Sequence, residues 1–138
     1  MATPLKLENG KIKQFLTTDT LPVTGAVNFN GELTPAAIAA NTNNYNPTGL
    51  NTCNFLRLSS SGNYNLTGLQ APSEGNQAIF ICNVNTGANS ITFKDNDASS
   101  TAANRFLIGG DKNIQSNEGI MLIYDQTSLR WRSQSVNI

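Results

Sequence analysis

The sequence predicts an all-β fold, an antiparallel β-sandwich or jelly-roll-like domain with one short helix and an N-terminal hairpin arm. Three observations predict it. Asparagine makes up about one residue in seven, and Asn is depleted in regular elements and favoured in turns. Turn signals recur roughly every 8–12 residues between short apolar runs, the spacing of sandwiches and jelly rolls. Two of those runs, Ala78–Cys82 and Ile120–Tyr124, are apolar at every position and too short for typical helices.

The organising element is the last hairpin, Gly119 to Arg132. A strand apolar at every position is expected to have both faces covered. Two such strands in 138 residues ask for a neighbouring subunit to supply part of that cover. The return strand sets Leu129 and Trp131 against Arg130 and Arg132, one buried face and one wet face. Trp131 is the single Trp of the chain, and one Trp buries roughly 200 Å².

At the other end, Leu5 to Phe15 reads as a hairpin about Asn9-Gly10, both residues suited to a type I′ turn. A two-residue loop places Glu8 opposite Lys11, Leu7 opposite Ile12 and Lys6 opposite Lys13. An isolated hairpin is marginal in water, so this one must lie on something: this chain's own sheet, as two more strands of the same domain, or a neighbouring copy or a different protein, as a docking arm. Leu5, Leu7, Lys11, Ile12, Lys13 and Phe15 are the candidate partner-interface residues. Residues 17–30 read as a linker with a short strand at Val27–Phe29, which sets an arm and linker at 1–32 before a domain at 33–138.

Leu33–Ala40 is the expected helix, with Thr34 as N-cap, Pro35 in the first turn and alanines following. Strands are expected at Phe55–Leu58, Tyr64–Leu66, Gln77–Val84, Ser90–Lys94 and Phe106–Ile108, joined by turns rich in Gly, Ser and Asn. No short-period repeat stands out. Cys53 and Cys82 lie in apolar, strand-like surroundings and read as buried free thiols.

Composition narrows function. The formal net charge is +0, without the basic field of a nucleic-acid binder. No apolar run approaches the ~18 residues of a membrane span, and no secretory signal opens the chain. The chain has no His, which removes the commonest general base and metal ligand. Asp95-Asn96-Asp97-Ala98-Ser99 begins like a calcium loop but lacks the Gly at its sixth position and the Glu at its twelfth, here Phe106. It is expected to be a solvated loop. The expectation is a protein without catalysis, cofactor or metal.

An ordered series of motifs runs through the last three quarters of the chain. They are Leu33-Thr34-Pro35-Ala36, Tyr45-Asn46-Pro47-Thr48-Gly49-Leu50, Leu56-Arg57-Leu58-Ser59 and Leu66-Thr67-Gly68-Leu69. Cys82-Asn83-Val84, Ser99 to Phe106, and Tyr124-Asp125 with Arg130-Trp131-Arg132 complete it. This series resembles a block common in bacteriophage tail-fibre and other virion proteins. The resemblance implies a β-rich, trimeric virion component and does not imply catalysis; with no signal segment, the product is expected to be made in the host cytoplasm and to end in the virion. The short length and the arm favour a capsid decoration (cement) protein, whose partner is the major capsid protein or another virion protein. The alternative is a tail-fibre or receptor-binding module that recognises host cell-surface glycans.

Overall fold

The computed structural model describes residues 31–134 and, as backbone, the two strands at 5–8 and 11–14. The fold is all-β. β1 (Leu5–Glu8) and β2 (Lys11–Gln14) form a two-stranded sheet of their own. Their register is the expected one, Leu7 opposite Ile12 and Glu8 opposite Lys11. Phe15 and the expected strand Val27–Phe29 lie outside the described residues.

The remaining eight strands form two sheets. They are β3 (Glu32–Leu33), β4 (Phe55–Leu58), β5 (Tyr64–Leu66) and β6 (Ala78–Asn83), then β7 (Ile91–Phe93), β8 (Lys112–Ile114), β9 (Gly119–Asp125) and β10 (Arg130–Ser133). A five-stranded sheet has the order β10-β9-β6-β4-β3, and a three-stranded sheet has the order β5-β7-β8. Both sheets are mixed, which corrects the antiparallel expectation. β3, β4 and β6 run parallel to one another, as do β5 and β7, while β8, β9 and β10 return antiparallel.

The parallel pairing has a simple origin. Turns of the kind expected between strands do not reverse the chain here; they carry it round to lie beside its previous pass. Glu32 sits beside Phe55 and Phe55 beside Phe80. Between them, single bridges join Ile38 to Ser60, Thr42 to Leu66 and Tyr45 to Leu69. Leu66 in turn lies beside Phe93. The repeat thus exists in backbone register, although the residues in successive passes differ enough to hide it from the sequence.

Leu33–Ala40 is not a helix. Ile38 donates its N–H to Ser59 O (2.8 Å) and accepts from Ser61 N (2.9 Å), a parallel bridge that uses the groups a helix would need. Ile38 is buried while Ala36, Ala37, Ala39 and Ala40 are exposed. One buried side chain does not repay the nucleation of a two-turn helix. The helical content among the described residues is two 3-10 turns, at Leu50–Thr52 and Ala102–Asn104. Two strands lie outside those the sequence predicts: β3, which is two residues long, and β8, which follows Gly109-Gly110. Phe106 joins its neighbours only by single bridges, to Asp95 and to Trp131.

One core serves both sheets. Leu56, Leu58, Ile79, Ile81, Leu122, Tyr124 and Trp131 come from the larger sheet, and Leu66, Ile91, Phe93 and Ile114 from the smaller. Tyr124 and Trp131 meet edge to face with ring centroids 5.1 Å apart, and Phe93 and Phe106 do so at 5.3 Å. Such pairs add about 0.5–1.5 kcal/mol each beyond burial. The core position of Trp131 is as expected. Leu129 is not its buried companion: it lies in the turn at φ 53 and is 45% exposed.

Asparagine has a role beyond turns. Its side-chain oxygens accept backbone N–H groups from distant segments, at places where the passes diverge from ladder geometry. Asn41 accepts from Asn65 N (2.9 Å), Asn63 from Ser90 N (2.9 Å) and Asn85 from Ser60 N (2.9 Å). Asn104 accepts from Ala71 N (2.8 Å) and Asn44 from Thr101 N (2.8 Å). A buried amide N–H without a partner costs about 1–3 kcal/mol, so these side chains complete what the irregular backbone leaves open.

Candidate functional site

Alternation along a strand sends successive side chains to opposite faces. In β6, Ile79, Ile81 and Asn83 turn into the core. Ala78, Phe80 and Cys82 therefore share the outer face. In β9, Leu122 and Tyr124 are buried, so Met121 and Ile123 point outward. The register sets Phe80 beside Met121 and Ala78 beside Ile123. On the flanks, Phe55 continues the row on β4 and Arg132 lies beside Ile123 on β10. The result is an apolar strip across the middle of the outer face. Phe80 is 42% exposed and Ile123 37%. Both apolar strands were expected to be covered on both faces; one face of each lies in the core, and on the other Phe80 and Ile123 are partly exposed.

Charged pairs border the strip. At the β3–β4 edge, Arg57 Nε lies 3.8 Å from Glu32 Oε1. At the β9–β10 edge, Arg132 Nε donates to Asp125 Oδ2 at 2.8 Å. Asp125 is the more elaborate partner. It also accepts from Ser128 Oγ (2.6 Å), Ser128 N (3.2 Å) and Thr127 N (3.0 Å), so it shapes the β9–β10 turn. The Ser128 hydroxyl and then the Arg132 guanidinium hold its carboxyl well below the usual range. Of Arg130 and Arg132, expected on the wet face of the last strand, Arg132 pairs with Asp125.

Of the sequence-predicted interface residues, Leu5 and Leu7 lie in β1 and Lys11, Ile12 and Lys13 in β2. The outer strip was legible as two all-apolar runs, but only the register shows that their outward residues are neighbours. Cys82 lies on this strip and is partly exposed, while Cys53 is buried; both are free thiols. The expectation that both are buried is therefore corrected at Cys82, which an alternating strand places outside.

Two shallow hollows lie elsewhere. One of about 480 Å³ is lined by Leu33, Pro35, Tyr45 and Pro47, with Thr34 and Thr48. The other, about 500 Å³, lies between β8 and β9 and includes Asp111, Asn113, Glu118 and Ile120. The Asp95–Ser99 loop is held by its own chain. Asp95 Oδ1 accepts from Ile108 N (2.7 Å), Asp97 Oδ1 from Ser99 N (2.8 Å), and Asp111 binds Lys94 and Asp95 N. Among the described residues no three His, Cys, Asp or Glu side chains gather as a metal site would need, and no helix is long and apolar enough to cross a membrane.

Comparison with protein-family models, with curated proteins and with solved structures finds no match to this chain.

Proposed function

We propose that the chain is a non-enzymatic structural protein of a bacteriophage particle, a capsid decoration protein that binds the outside of the head and stabilises it. In this reading it acts as a homotrimer in the virion, and its partner is the major capsid protein or a neighbouring virion protein. The two sheets around one core are taken as a sandwich, the scaffold, and the N-terminal hairpin as the attachment device. The observation that carries the reading is that β1 and β2 form a sheet separate from the other two. A two-stranded hairpin gains its stability from whatever it lies on. The motif series from Leu33 to Arg132 supplies the virion context. Burying Leu7 and Ile12 against a partner contributes about 1.5–3 kcal/mol each, enough together to shift occupancy more than tenfold.

The test uses purified phage heads and the full chain with Leu7→Ser and Ile12→Ser, alongside a chain lacking residues 2–16. Retained β circular dichroism with lost head binding is the expected result. Full decoration of heads by either variant overturns the attachment role, and failure of the unaltered chain to bind heads overturns the decoration reading.

A second reading, a tail-fibre module that recognises host glycans, draws on the Tyr45 hollow, where an aromatic ring lies beside Pro35 and Pro47. Binding of the chain to cell-surface polysaccharide, lost in Tyr45→Ala, would favour it over the first.

A further inference from the structure

We draw no further inference here: the strongest candidate, the hollow of about 500 Å³ between β8 and β9 lined by Asn113, Ile114, Glu118 and Ile120, carries nothing because nothing in the structure shows what covers it.

Discussion

The indole N–H of Trp131 donates to the carbonyl of Leu69 at 2.8 Å, joining residues 62 positions apart in the buried interior. Trp131 belongs to the last strand of the larger sheet, and Leu69 follows the first strand of the smaller one. The bond therefore ties the end of the chain to its second pass. Trp131 also pairs its backbone with Arg105 O and Leu107 N, which fastens β10 on the side away from β9. Trp131→Phe should destabilise the fold by about 1–3 kcal/mol, chiefly by leaving the Leu69 carbonyl unpaired. Trp131→Ala adds a cavity and should cost about 3–5 kcal/mol. Denaturant unfolding followed by circular dichroism measures both.

Asn85 should matter more than its residue type suggests. Its side chain accepts from Ser60 N and donates to Ser60 Oγ (3.0 Å) and Asn89 O (3.2 Å). Asn85→Ala loses all three, and should cost about 2–4 kcal/mol at roughly 1 kcal/mol for each bond. Asn51→Ala, at an exposed position, should change stability by less than about 0.5 kcal/mol. Equal effects in the two unfolding curves would show that the asparagines serve only as turn formers.

Close backbone approach singles out Gly68. A Cβ there would lie 2.6 Å from Asn104 O and 2.6 Å from Ser100 Oγ, inside the packed interior. Gly68→Ala should destabilise by about 2–3 kcal/mol through overpacking. A Cβ on Gly87 meets nothing within 4 Å. Gly87→Ala should be neutral or stabilise slightly, since it restricts the unfolded chain. Thermal melts of the two variants provide the comparison.

Acid should weaken the fold at the β9–β10 turn. The Asp125 carboxyl is held below its usual pKa by Ser128 and Arg132. A group depressed in the folded state stabilises fully above its unfolded pKa, near 4, and loses that contribution as pH falls further. Asp97 and Asp111 are depressed too, the first mainly by the Ser99 N–H and the second mainly by Lys94, so they share the same limb. The melting temperature should fall as pH drops below about 4, and Ser128→Ala should make that fall shallower. Melts between pH 2 and 6 check the sign and the difference.

Much of the local structure was legible because it depends on neighbours in sequence. The expected pairing of Glu8 with Lys11 and Leu7 with Ile12 is the register of β1 and β2, and the apolar runs located β4, β6 and β9. The misread helix shows the boundary of such reasoning. Thr34-Pro35 followed by alanines is a good local start for a helix, yet the Ile38 bridge to Ser60 outweighs it. That contact is absent from any short window, and propensity yields to it.

What the sequence by itself determined about this protein is its all-β class, the hairpin at its start, the buried Trp131 and the two apolar strands, because each follows from local turn chemistry or strand periodicity. Only the tertiary structure decided that the strands stack in parallel passes, that asparagine side chains join distant backbone segments, and that Met121, Ile123, Ala78 and Cys82 form one outer strip. Those features rest on contacts between residues some two dozen or more positions apart. A β register is a choice among many pairings, made by burial of the whole core and not by the residues of one strand.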